Sequence, residues 1–289
     1  WPFLLIPAII GIWGEKGEGK MKHNIKEIAP NTWCLNEMAV QSFLVVGEER
    51  AALIDTGAGM GNLAKEVKEI TDKPLYVLNT HGHVDHAGGN GQFPVVYLSE
   101  KDFQASIDMC TYEKRKWYVE TRVGRFSPEH LEEALQSLIP DQPYSRMAIR
   151  EGMVFSLGGH DLEVIETPGH TLGSICFLDR TNRLLFTGDM ANDSVINHKK
   201  SVGYGTTVET YHRSMEKLWN LDGYDQVVRF HGQPLKGREQ VKNLIGLTGK
   251  ILDGSLTGIQ DKAGIREGVN YRSEEFPGIE FWCDGDNIF

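Results

Sequence analysis

After Thr80 the sequence reads His81-Gly82-His83-Val84-Asp85-His86-Ala87-Gly88-Gly89, setting three imidazoles and one carboxylate within six positions. The stretch directly follows Leu75-Tyr76-Val77-Leu78, a short apolar run with aromatic and branched residues that reads as a strand ending in a loop. A lone histidine usually belongs to the surface or to a satisfied core, but packing does not explain four ligand-type side chains at this density. Imidazole together with carboxylate suits zinc and other borderline divalent ions. A loop at a strand end can turn alternate side chains toward one point, and Gly82, Gly88 and Gly89 free the backbone to do so. Three more candidates sit in the same context: His170 in Thr167-Pro168-Gly169-His170-Thr171, Asp189 in Thr187-Gly188-Asp189, and His231 in Phe230-His231-Gly232. Each follows an apolar run and neighbours a glycine, so the fold has to bring several strand ends together.

With 289 residues, the chain is long enough for one large α/β domain or a domain with an appendage. Its 40% hydrophobic and 24% charged residues match neither a disordered chain nor a membrane bundle. A net charge of -10, from 40 acidic against 30 basic residues, would repel phosphate backbones unless the basic residues clustered, so a small-molecule substrate is expected rather than nucleic acid. Cys34, Cys110, Cys176 and Cys283 form no Cys-x-x-Cys pair, which argues against a thiolate zinc knuckle or a redox dithiol and fits a reducing, cytoplasmic location. The run Trp1 to Trp13 is too short to span a bilayer and lacks the flanks of a secretory signal, so no membrane span is expected. Because Met21-Lys22-His23-Asn24 reads as an ordinary beginning, residues 1 to 20 are expected to be an upstream or expression-derived segment; an interfacial anchor or packing segment is the alternative.

The main domain is expected over residues 21 to 252. Phe43 to Val46 and Ala51 to Ile54 read as a hairpin, and Leu63, Val67 and Ile70 as one stripe of a helix between Gly61 and Thr71. Residues 99 to 140 read as a helical insertion that could cover a site, with Ser127-Pro128 as a cap and Leu131, Ala134, Leu135 and Leu138 as a stripe. Strand candidates follow at Val154 to Leu157, Leu162 to Ile165, Ser174 to Leu178 and Leu184 to Phe186. Thr206 and Glu209 stand in capping-box spacing ahead of a helix lined by Val208, Tyr211, Met215, Leu218 and Trp219. A strand at Gln226 to Phe230 and a helix near Gly237 to Leu252 complete the plan. Residues 253 to 289 form a C-terminal extension that would pack on the domain or at the interface of a homodimer.

Taken in order, and preceded by Leu53-Ile54-Asp55-Thr56-Gly57, these motifs resemble the His-x-His-x-Asp-His pattern of the metallo-β-lactamase superfamily, including hydrolases similar to glyoxalase II and to lactonases. The resemblance spans about residues 28 to 250. It implies an α/β fold, an αββα sandwich of two mixed β-sheets face to face, with helices on the outer faces and the metal site at one edge. Carried over position by position, His81, His83 and His170 would bind one divalent cation, Asp85, His86 and His231 a second, and Asp189 would bridge them. Zinc is the first expectation, iron or manganese the alternatives. Phe230-His231-Gly232 departs from the commoner Gly-His-Gly, and Asp55 would orient a ligand histidine. Two cations about 3.5 to 4 Å apart hold hydroxide near neutral pH. The implied enzyme is a dinuclear hydrolase in which a metal-bridging hydroxide attacks an ester, thioester, lactone or amide, with Asp85 as the catalytic group that orients it and shuttles a proton.

After Asp189, the cluster His198-Lys199-Lys200 and Tyr204 occupies the region where such proteins often contact substrate. A lysine there would pair with a carboxylate and Tyr204 with a carbonyl, against the plain reading of a solvated charge cluster. The run Tyr112 to Tyr118 reads as an ordinary amphipathic helix, with a pocket wall as the alternative. His23, His130, His160 and His212 lie outside glycine-flanked strand ends and are expected at the surface. Competing functions are a mononuclear iron persulfide dioxygenase, a phosphodiesterase or RNA-processing nuclease, and a metal binder without turnover.

Overall fold

The computed structural model describes residues 21–38, 40–198, 204–263 and 266–289. The segment 1–20, Lys199 and Lys200 therefore lie outside the described residues. Along the chain run β1 (Asn24–Ala29), β2 (Thr32–Glu37), β3 (Val40–Val46), β4 (Ala51–Ile54), α1 (Leu63–Ile70), β5 (Leu75–Leu78), α2 (Val84–Ala87) and β6 (Val95–Leu98). The helical segment follows as α3 (Phe103–Asp108), α4 (Tyr112–Phe126) and α5 (Leu131–Ser137). Then come β7 (Ser145–Ala148), β8 (Val154–Ser156), β9 (Asp161–Glu166), β10 (Ile175–Asp179), β11 (Leu184–Phe186), β12 (Ser194–Asn197) and α6 (Val208–Trp219). The last elements are β13 (Gln226–Val228), β14 (Leu235–Gly237), α7 (Glu239–Leu252), β15 (Ile259–Ala263), β16 (Arg266–Arg272) and β17 (Glu280–Cys283).

Strands β1 to β7 form one sheet in sequence order, antiparallel up to the β3–β4 pair and parallel from β4–β5 onward. A second sheet runs β14-β13-β11-β10-β9-β8, with β11 and β13 parallel. Side chains on a strand alternate between faces, and the central strands β3, β4, β10 and β11 are covered on both, so they read as largely apolar runs. In β3, Phe43 and Val45 meet Phe177, Phe186 and Val228 of the second sheet, while Leu44 faces outward onto Leu63 and Val67 of α1. In β10, Ile175 and Phe177 point into the same interlayer core, while Cys176 and Leu178 pack against Tyr211, Met215 and Leu218 of α6 and Val241 and Leu244 of α7. The layers are thus helix, sheet, sheet, helix. Phe43 locks the interface edge-on to Phe230 at 4.8 Å between ring centroids, and burying each such ring contributes roughly 1.5–3 kcal/mol.

The residues after α7 add a feature that their composition hides. β15, β16 and β17 build a third sheet with β12, in the order β12-β17-β16-β15, and β12 pairs in parallel with β17. Phe281 and Cys283 are buried in the core shared with α6 and α7.

Several local expectations need correction. The cap of α6 is Thr207, whose hydroxyl accepts from the Thr210 amide, whereas the Thr206 hydroxyl donates to the Gly169 carbonyl beside His170. Ser127 closes α4 and precedes a 3-10 turn without making a side-chain cap bond. His23 and His160 are buried rather than at the surface. His23 Nδ1 lies 2.9 Å from Glu66 Oε2, and His160 lies 3.4 Å from the buried Asp179. The His23 ring is held by a hydrogen bond to a carboxylate far away in sequence, whereas His160 only lies near one.

Candidate metal centre

All seven expected ligands converge where strand ends of the two sheets meet. The first loop begins after β5, where Asn79 Nδ2 donates to the His86 carbonyl and the Thr56 amide donates to the same oxygen, closing the β4 and β5 ends together. Close approach explains two glycines of this loop. A Cβ on Gly89 would stand 2.2 Å from the Thr56 carbonyl oxygen, and one on Gly88 would stand 2.3 Å from that of Val84. His170 comes from the β9–β10 turn, Asp189 from the 3-10 turn after β11, and His231 from the loop after β13.

Three overlapping groups bring their ligand atoms within 4.8 Å of one another: His81, His83 and His170; His81, His86 and Asp189; and Asp85, His86 and His231. Asp189 stands between the others. Its Oδ1 is 3.3 Å from His86 Nε2 and 3.2 Å from His231 Nε2, and its Oδ2 is 3.5 Å from His170 Nε2.

The outward sides of the rings are tied down. His86 Nδ1 donates to Asp55 Oδ2 at 2.7 Å, and the same carboxylate accepts from the Thr80 amide and hydroxyl, each at 2.7 Å. Because Thr80 Oγ1 donates to Asp55, it accepts from His81 Nδ1 at 3.0 Å. His170 Nδ1 donates to the carbonyl of Ile196 in β12. Three imidazoles therefore keep the Nδ1 proton on an acceptor; His81 and His170 turn an Nε2 lone pair toward the common centre, and His86 would do so on losing its second proton, the tautomer that cation binding requires. Asp55 reaches this position from a left-handed backbone conformation, φ 60°, which aspartate tolerates better than most residues.

The donor set fits divalent cations. His81 Nε2 and His83 Nε2 are buried without a hydrogen-bond partner, an arrangement that is expensive unless something accepts their lone pairs. Burial, reinforced by the neighbouring histidines, pushes the His81 pKa well below its ordinary value, and burial beside His170 lowers that of His83 to about 3, so both rings are neutral. For Asp189, burial favours the neutral acid, but His231 and His86 outweigh it and hold the carboxyl well below the usual range. Burial likewise opposes a charge on His86, yet Asp189, Asp85 and Asp55 raise its pKa well above the ordinary value. Negative charge and neutral imidazole at one buried point are what a cation would satisfy, with release of the His86 proton.

Sequence reasoning missed Asp102 and reached Tyr118 only within a run whose alternative reading was a pocket wall. Tyr118 of α4 donates its hydroxyl to Asp85 Oδ2 at 2.8 Å, so the run read as an ordinary amphipathic helix touches the centre. Asp102 links two ligand-bearing loops. No signal short of tertiary structure marks either one. Of the residues expected to contact substrate, His198 is buried beside Gly268 of β16 and offers no exposed face, while Tyr204 donates its hydroxyl to Asp108 Oδ2 at 2.9 Å. The four cysteines are free, and burial pushes each thiol up to about 12, unlike an activated nucleophile.

Two sheets packed face to face between helices, with histidines and aspartates gathered at one edge of the strand ends, define a class of metal-site α/β proteins. The chain belongs to the metallo-beta-lactamase superfamily, whose family model matches residues 35–231. It is 33% identical over 160 residues to the acyl-coenzyme A thioesterase MBLAC2 of Gallus gallus, covering 52% of this chain and 57% of that protein. It is 30% identical over 146 residues to the hydroxyacylglutathione hydrolase GloC of Haemophilus influenzae, covering 50% of this chain and 62% of that protein. These alignments span little more than half the length of the curated relatives. Among solved structures, a metallo-beta-lactamase family protein of Thermus thermophilus superposes with a TM-score of 0.53 at 21% identity, covering 79% of this chain and 82% of its own. That likeness concerns the fold. No helix among the described residues is long and apolar enough to cross a membrane.

Proposed function

We propose that the protein is a dinuclear metal-dependent hydrolase of small acyl thioesters, with zinc as the first candidate metal. The observation that carries this reading is the shared orientation of the rings: Nδ1 of His81, His86 and His170 is anchored outward, leaving Nε2 of His86 and His170 to face Asp189 and Nε2 of His81 buried without a partner. His81, His83 and His170 would hold one cation, Asp85, His86 and His231 the other, and Asp189 would reach both. Such a pair lowers the pKa of water and polarises a carbonyl. The chain supplies the rest. Asp85, fixed by the Tyr118 hydroxyl, takes a proton from the attacking water and returns one to the departing sulfur. The thioester carbonyl thereby becomes a carboxylic acid and the leaving group a thiol.

The names of the two curated relatives, an acyl-coenzyme A thioesterase and a hydroxyacylglutathione hydrolase, support an acyl thioester over a β-lactam or phosphodiester. The four free thiols fit a reducing, cytoplasmic compartment. The test is a panel of thioester, lactone, phosphodiester and β-lactam substrates offered to the zinc-loaded protein. Thioester hydrolysis that disappears with a chelator and returns with zinc is expected. Phosphodiester cleavage, or silence toward every substrate at full metal occupancy, would overturn the reading.

A further inference from the structure

The 3-10 turn Glu100–Asp102 places the Asp102 side chain, fully buried, between two ligand-bearing loops. Asp102 Oδ2 accepts from the Gly82 amide at 2.9 Å, and Gly82 is the residue between His81 and His83. The same oxygen accepts from the Thr171 hydroxyl at 2.7 Å, and Oδ1 accepts from the Gly173 amide at 2.9 Å, both just after His170. The carboxylate therefore has partners 20, 69 and 71 residues away in sequence, none of them within its own turn.

The glycines show that the joint is closely fitted. A Cβ on Gly173 would stand 2.4 Å from Asp102 Oδ1, and one on Gly82 would stand 2.8 Å from the Asp102 carbonyl oxygen. Any side chain at either position would push its loop off the carboxylate. Burial raises the Asp102 pKa, opposed by Thr171 and the two amides, so the fold accepts a buried acid here in return for three directed bonds.

We propose that Asp102 is a positioning residue that fixes the spacing between the His81–His83 loop and His170, and so sets the affinity of the first cation group without touching a cation or substrate. This rests on the metal-centre reading above. The two ligand groups differ in their supports: Asp102 clamps together the His81–His83 loop and the His170 loop of the first, whereas Asp55 binds His86 of the second directly and reaches His81 only through Thr80, and Tyr118 binds Asp85. The helical segment after β6 is consequently part of the frame of the centre as well as a cover over it.

Asp102→Asn keeps the shape of the side chain but replaces one acceptor oxygen with a donor, setting NH2 against an N–H on one of the two loops. The experiment titrates the metal-free protein with Zn2+ by calorimetry and with Co2+ by ligand-field absorption. His170→Ala and His231→Ala mark which binding event belongs to which group, and far-UV circular dichroism confirms the fold. Expected in Asp102→Asn is a loss of roughly 10- to 100-fold in affinity for the event missing from His170→Ala, with a changed Co2+ spectrum for that event alone. The event missing from His231→Ala should keep its wild-type affinity. Equal weakening of both events, or of neither, would overturn the proposal, because a general loss of stability does not distinguish the two groups. Should Asp102→Asn fail to fold, Thr171→Val decides: it removes one of the three bonds, and a smaller shift in the same event is expected, whereas an unchanged affinity is contrary. A wild-type chain that takes up no ion would instead sink the metal-centre reading itself, and this proposal with it.

Discussion

His83→Ala and Asp189→Asn are each expected to lose metal and to lower thioester turnover by at least roughly 10²- to 10³-fold, the scale on which removal of one electrostatic stabiliser acts. His83 is buried and neutral, with Nδ1 2.8 Å from His170 Nε2 and Nε2 without a partner, so alanine deletes a ligand and nothing nearby can replace it. Asp189→Asn is nearly isosteric and tests charge rather than shape. Its oxygens lie within 3.5 Å of ring nitrogens of His86, His170 and His231, and the amide would remove the negative charge on which both cation groups converge. The Asn192 amide, which donates to Asp189 Oδ1 at 2.8 Å, would keep the side chain in place. Metal content by mass spectrometry and steady-state kinetics are the readouts. Unchanged turnover in both variants would contradict the ligand assignment.

Asp55→Asn should act almost as strongly without touching a cation. If the amide oxygen faces His86, the NH2 group meets the Thr80 amide, donor against donor. If the amide is reversed, His86 Nδ1 has to accept and its proton moves to Nε2, the nitrogen that faces Asp189. One buried group loses its partner in either arrangement, at about 1–3 kcal/mol of stability. The second arrangement also presents the wrong tautomer, a fault that in a buried carboxylate–histidine pair costs up to ~10⁴ in turnover. A 10- to 100-fold loss of cation affinity at the His86 group is expected. Asparagine tolerates the left-handed backbone at this position, so the effect reports on the hydrogen bond and not on strain. Wild-type affinity at that group would remove Asp55 from the orienting role.

The seven ligand candidates were legible because each lies in a glycine-containing segment that follows an apolar run, and because their order resembles one family's metal-binding pattern. The interlayer strands were equally readable: β4, β5 and β11 are short, wholly apolar runs, and their observed bounds are Ala51–Ile54, Leu75–Leu78 and Leu184–Phe186. What escaped has one physical cause, dependence on distant partners. β15 carries Gln260, Asp261 and Lys262 in a strand with no fully buried residue, so no apolar alternation marks it. β12 is four residues long and is a strand only because β17 lies beside it. Asp102, in Ser99-Glu100-Lys101-Asp102, looks like an ordinary first-turn acid until Gly82, Thr171 and Gly173 are brought to it. His23 looked like a surface residue because nothing near it in sequence foretells Glu66.

Anomalous X-ray diffraction from crystals of the zinc-loaded protein tests the paired centre most directly. Two peaks are expected, one enclosed by His81, His83 and His170 and the other by Asp85, His86 and His231, with Asp189 in contact with both. A single peak, or ions bound away from these side chains, would contradict it.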